Sequence, residues 1–312
     1  QAAYQYIRFG RYREALNALQ NSPERNARWY YLSALANDGL GNQVTAIGDY
    51  AFDSCISLAA VTIPDSVKTI GKEAFKGCTS LAVLNLGSGL TEIGQGAFSG
   101  CNSLQSVSIP DSVTDIGDSA FAGNAALSTL HIGAGVKNIG SNAFAQTALT
   151  ALVIPDNVVT IGAQAFFRCR LLESVTIGKG VTAIGDGAFA NNIVNAFVVD
   201  AENGNFTTDT EGVLHNKDKT VLIAFTGAKR DGYAVEDSVT RIASMAFDGT
   251  YPSSIAIGGN LKEIGDNNFY DTNIECVFYR DTAAYREANL TIGADNSFLQ
   301  KAMWHYEVQN AT

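Results

Sequence analysis

IGDYAF at residues 47–52, IGKEAF at 70–75 and IGQGAF at 93–98 return at a spacing of 23 residues. Further copies begin at Ile116, Ile139, Ile161, Ile184, Ile242 (as IASMAF) and Ile264 (as IGDNNF), so nine coils of 22–23 residues are counted between residue 44 and about residue 279. Self-similarity at a fixed period of this size marks a solenoid, in which each unit buries its apolar side only against its neighbours. No single repeat encloses a pocket, so function is sought on a surface.

One coil reads VTAIGDYAFDSCISLAAVTIPDS over residues 44–66. Leu58, Val61 and Ile63 form LxxVxI, whose end alternates like a half-buried strand with Thr62 pointing outward. A second extended piece runs to Ile47 and stops at Gly48, where the chain must turn. Between the two, a short turn inserts Phe52 into the interior. The residue three after each motif Phe tests this register: it is Cys55, Cys78, Cys101, Asn124, Thr147, Cys169, Asn192, Thr250 and Thr272. Small side chains with a donor suit a buried structural column that satisfies loop carbonyls. Stacked coils about 4.8 Å apart would also bring such cysteines near a metal or a redox partner. Asn and Thr at equivalent places argue against that reading, and no metal site is expected.

A double period near 46 is superimposed. The strand exits read IPDS at 63, LGSG at 86, IPDS at 109, IGAG at 132, IPDN at 154 and IGKG at 177, an alternation of proline and glycine corners. The pattern breaks over residues 200–238, where Val213 and Leu214 are expected to face residues 221–223 across a polar hairpin turn. The acids of this insert lack the spacing and closing Glu of a calcium loop and read as solvated.

The ends differ from the repeat. Residues 280–312 are expected to form a C-terminal cap, whose aromatics, Trp304 and Tyr306 among them, pack on the last coil or present a ligand platform. Residues 1–43 have helical periodicity, with Tyr12, Ala15, Leu16 and Leu19 on one stripe. GRYREAL at 10–16 and NARWYYLSALANDGLG at 26–41 resemble a tetratricopeptide repeat, in wording most similar to the helical tail of bacterial J-domain co-chaperones. This short all-α segment is expected to be a cap, or the stub of a longer helical domain.

The chain is 46% hydrophobic and 17% charged, with a net charge of −10. That field repels nucleic acid and anionic membranes, so neither is an expected partner. No apolar run reaches the roughly 20 residues of a membrane span. The start, QAAYQYIRFG, has no initiator Met and no signal h-region, and the chain is expected to be part of a longer protein.

The wording IPDSVxxIGxxAFxxCxSL resembles the BspA-like, or Treponema-type, leucine-rich repeat family, with Val67, Ile70, Gly71, Ala74, Phe75, Cys78 and Leu81 at family positions. The resemblance covers residues 44 to about 307 and implies a right-handed leucine-rich solenoid. It also implies a non-enzymatic adhesion or protein-interaction module, displayed outside the cell on a host-associated bacterium. The N-terminal stub leaves open a cytoplasmic scaffold or chaperone-associated protein behind an upstream J domain.

Catalysis would need converging titratable groups, and the histidines at 131, 215 and 305 fall in a strand, the insert and the cap. No enzyme and no cofactor are expected. The candidate binding surface is the outward side of the strand row, with Thr62, Asn85, Ser108, His131 and Thr176 at its polar positions and a protein or glycan as partner. The row is expected to continue with Ala151 and Val153, Ser174 and Thr176, Ala196 and Val198, Ser254 and Ala256, then Cys276 and Phe278.

Overall fold

A strand that alternates apolar and polar residues and a strand cut short at glycine predict two rows of stacked strands. Both rows are present. The computed structural model describes residues 13, 44–227, 231–269, 272 and 274–306. It divides into two compact units, Gln1–Val136 and Lys137–Thr312. Apart from Arg13, the helical segment expected over 1–43 lies outside the described residues.

The first unit holds β1 (Ala46–Ile47), β2 (Ala60–Thr62), β3 (Thr69–Ile70), β4 (Val83–Asn85), β5 (Glu92–Ile93), β6 (Ser106–Ser108), β7 (Asp115–Ile116) and β8 (Thr129–His131). β1, β3, β5 and β7 pair in parallel, with Ile47, Ile70, Ile93 and Ile116 in one register. β2 pairs with β4 and β6 with β8, again parallel. Between the rows Phe52, Phe75, Phe98 and Phe121 stack at 4.8, 5.1 and 5.2 Å, close to the spacing of the strands themselves. The motif phenylalanine is therefore a continuous buried column.

The second unit continues in kind with β9 (Asn138–Ile139), β10 (Ala151–Ile154), β11 (Thr160–Ile161), β12 (Ser174–Ile177), β13 (Ala183–Ile184) and β14 (Ala196–Val199). The insert holds β15 (Phe206–Thr208), β16 (Leu214–Asn216), β17 (Val221–Ala224) and β18 (Tyr233–Ala234). After it come β19 (Arg241–Ile242), β20 (Ser254–Ile257), β21 (Glu263–Ile264) and β22 (Cys276–Tyr279). The last elements are α1 (Ala283–Asn289), β23 (Thr291–Ile292), α2 (Ser297–Lys301) and β24 (Met303–Tyr306).

The expected nine coils are corrected to about eleven turns, four in the first unit and seven in the second. One added turn lies in the insert: β15, β16 and β17 form an antiparallel meander, yet β17 then pairs in parallel with β19 and β18 with β20. Phe225 stacks on Phe247 at 4.6 Å and so fills the column without an IGxxAF motif. The other added turn lies in 280–306, where β23 pairs with β21, β24 pairs with β22, and Leu299 is buried.

The double period of 46 has a steric cause. A Cβ on Gly89 would meet the Asp65 carbonyl oxygen at 1.9 Å, one on Gly135 the Asp111 oxygen at 1.8 Å, and one on Gly180 the Asp156 oxygen at 2.0 Å. Each proline corner thus presses its backbone into the glycine corner of the next coil. The same aspartates lock the joint, because Oδ1 of Asp65, Asp111 and Asp156 accepts from the amides of Ser88, Ala134 and Lys179 at 2.6, 2.7 and 3.2 Å. Only glycine leaves room for that approach.

Candidate functional site: the outer strand face

Strand alternation buries the middle residue of each long strand and exposes its flanks. In the first unit the exposed ends are Thr62, Asn85, Ser108 and His131, with Ala60, Val83, Ser106 and Thr129 beside them. Register places Thr62 opposite Asn85 and Ser108 opposite His131. Asn85 Nδ2 donates to Thr62 Oγ1 at 3.3 Å. The face offers hydroxyls, an amide and an imidazole on a flat lattice, with methyl groups between them and no formal charge. In the second unit Thr176 is half-buried, between Val153 on β10 and Val198 on β14.

The row expected to run on from Ala196 and Val198 to Ser254 and Ala256 is interrupted between those pairs. Phe197 N donates to Gly212 O, a Cβ on Gly212 would meet that of Ala196 at 2.5 Å, and β20 pairs with β18 rather than with β14. The insert breaks the row because its return path crosses the open side of β14. Periodicity could not reveal this, as the insert carries no motif. Its acids are not all solvated either. Asp209 Oδ1 accepts from the amides of Glu211 and Val213, and Oδ2 accepts from the Tyr233 hydroxyl at 2.8 Å.

The column residues lie behind this face. Cys55 is half-buried, and Cys78, Cys101, Asn124, Thr147, Cys169, Asn192, Thr250 and Thr272 are buried. Cys78, Cys101 and Cys169 donate to the carbonyls of Phe52, Phe75 and Phe144 at 3.1, 3.2 and 3.2 Å, and Asn192 Nδ2 donates to that of Phe166 at 3.0 Å. Thr147 and Thr250 reach the carbonyls of Phe144 and Phe247 in their own turns. At these six positions thiol, amide and hydroxyl interchange because each brings one donor to a phenylalanine carbonyl, whereas Cys55 donates to Asp53 O and the buried side chains of Asn124 and Thr272 make no hydrogen bond among the described residues. Burial pushes the Cys78 and Cys101 thiols up to about 12, and raises Cys169 and Cys55 as well, the latter helped by Asp53. A maleimide is expected to label the half-buried Cys55 and Cys276 well before the buried Cys78, Cys101 and Cys169, because the reagent must reach the sulfur; peptide mass spectrometry over a time course reads the order.

Three buried asparagines were not singled out by sequence reasoning. Asn203 bonds both Gly178 and Val181 through Nδ2 and accepts from Asn205 and Phe206. Asn268 accepts from Phe247 N and donates to Ala243 and Gly265. Asn296 accepts from the amides of Asn268 and Phe269. The signal was present at Asn268, which stands where other coils have the motif alanine.

His215 is buried within the meander, with Nδ1 3.0 Å from Val213 O and Nε2 without a partner. Burial holds its pKa below the usual imidazole range, against the opposing pull of Asp209 and Glu236. The unfolded imidazole titrates near pH 6.5, so the neutral form is favoured on folding. Its contribution is present above that pH and is lost as pH falls below it. The amide protection factors of residues 206–224, taken against the intrinsic exchange rate at each pH, are expected to fall between about pH 6.5 and 5, and His215→Gln to flatten that dependence.

Among the described residues no group of three His, Cys, Asp or Glu is placed to hold a metal ion, and no helix is long and apolar enough to cross a membrane. The chain matches the model of the BspA type leucine rich repeat region over residues 26–150, 137–218 and 223–291. Solved structures share the fold. A leucine-rich repeat protein from Eubacterium ventriosum is 22% identical with a TM-score of 0.62, over 78% of this chain and 61% of its own. A leucine rich cell surface protein from Faecalibacterium prausnitzii is 23% identical with a TM-score of 0.56, over 86% and 78%. The pneumococcal vaccine antigen PcpA is 22% identical with a TM-score of 0.51, over 80% and 64%. This chain thus spans less than two thirds of the Eubacterium protein and of PcpA. A search of curated proteins finds no match.

Proposed function

Because the chain belongs to the BspA-type leucine-rich repeat family, we propose that it is a non-enzymatic interaction module, displayed on the surface of a host-associated bacterium, that binds a protein or glycan. The observation that carries this reading is the uncharged outer face of β2, β4, β6 and β8, whose exposed hydroxyls, amide and imidazole have a single side-chain bond among them. Such a face can give hydrogen bonds to an extended peptide or a sugar without first breaking ion pairs. The cell-surface description of the Faecalibacterium relative supports the placement outside the cell.

The test is binding of the full chain to an array of host extracellular proteins and glycans. Ser108→Arg and Thr129→Arg each put a long charged side chain on the face without touching the core. Binding is expected to fall about tenfold or more for whichever substitution lies under the partner, with an unchanged melting temperature. Array binding that survives both substitutions would refute the assignment to this face. Labelling of intact cells by an antibody to this chain tests the display separately.

A further inference from the structure

The outer face of β22 and β24 carries sulfur and aromatic side chains, where the other long strands present hydroxyls, alanines and valines with one amide at Asn85 and one imidazole at His131. Register pairs Cys276 with Met303 and Phe278 with His305. Alternation buries Val277 and Tyr279 and turns these four outward, with Phe278 46% and Met303 62% exposed. Cys276 lies outside the buried column, and no phenylalanine carbonyl takes its thiol, unlike those of Cys78, Cys101 and Cys169.

In-register neighbours on parallel strands lie about 4.8 Å apart. Metal–sulfur bonds run about 2.3 Å, so Sγ of Cys276 and Sδ of Met303 can reach one ion held between them. The third donor is set by stacking. The rings of Phe278 and His305 are 5.0 Å apart and 16° from parallel across the strand gap. His305 follows Met303 by two residues, so strand alternation turns both to the same exposed face. Thiolate, thioether and imidazole together are a soft donor set, and among the described residues no carboxylate or second cysteine joins them to build a four-coordinate zinc site.

We propose that Cys276, Met303 and His305 form an exposed site for a soft monovalent metal ion, with Cu(I) as the biological member of that class. Phe278 is a positioning residue that holds the imidazole. Loading exchanges one proton for the ion: the Cys276 S–H bond breaks, the proton passes to solvent, and the sulfur–copper bond forms. Copper arrives as Cu(I), so no electron is transferred.

The experiment titrates the full chain with Cu(I), without oxygen, against the chromogenic chelator bicinchoninate. One equivalent is expected to be held, absent in Cys276→Ser and weakened about tenfold or more in Met303→Leu and in His305→Gln, a scale reached even by outer-shell changes at metal sites. Equal affinity in those two variants would reduce the site to a bare thiol and overturn the proposal. Retention in Cys276→Ser with loss in Cys55→Ser would overturn it as well. Ag(I) added to the unaltered protein reports independently of any variant's folding. The His305 ring resonances are expected to shift, and unshifted resonances would contradict the site.

Discussion

Gly135→Ala is expected to destabilise the protein by about 3 kcal/mol or more, the upper end of the usual cost of overpacking. The new Cβ would lie 1.8 Å from the Asp111 carbonyl oxygen, which is backbone and cannot rotate aside. Relief requires the two coils to part, and parting stretches the Ala134 amide from Asp111 Oδ1, now 2.7 Å away. Gly48→Ala is the control, because its Cβ would meet nothing within 4 Å; it is expected to stay within about 0.5 kcal/mol of the parent. Denaturant unfolding read at both positions separates a steric joint from a general dislike of substitution at motif glycines. Similar values for the two would contradict the corner account.

Phe98→Ala is expected to cost about 3–5 kcal/mol, the range for removing a buried aromatic side chain. Its ring is fully buried and sits between Phe75 at 5.1 Å and Phe121 at 5.2 Å, so truncation removes two stacking partners and leaves a void in mid-column. Strand ladders on both sides hold the coil spacing and prevent the column from collapsing into the gap. Phe98→Leu is expected to recover part of the loss by refilling volume without the ring stack. Calorimetry on both variants measures the two contributions, and a loss below about 1 kcal/mol for alanine would mean that the column carries little of the stability.

Both predictions rest on features of different legibility. The column was readable from residue spacing alone, because IGxxAF repeats with a phenylalanine at a constant place and stacked units must align equivalent residues. The corner joint was readable only as a period: PDS and GSG alternate plainly, but the reason depends on a carbonyl of one coil reaching a glycine in the next. Two turns were missed where other residues fill motif places, Phe225 without a preceding IG and Leu299 after the one-residue-longer IGADNSF. The exposed ends of β2, β4, β6 and β8 followed from period-2 alternation. The interruption of the row beyond β14 did not, because Gly212 is brought to Ala196 by the insert's return path. The donors of Asn268 and Asn296 were hidden for a related reason, as their acceptors are backbone carbonyls, partly of their own turn and partly of the turn before.

The central claim is that the uncharged outer strand face engages the partner. Hydroxyl-radical footprinting of the full chain, with and without a partner recovered from the array, reads side-chain exposure on that face directly. Protection is predicted at Val83 and His131, which are exposed in the free protein, while Tyr50 and Ile56, exposed in the turn that follows β1, stay reactive. Protection of Tyr50 and Ile56 with Val83 and His131 unchanged would contradict the claim.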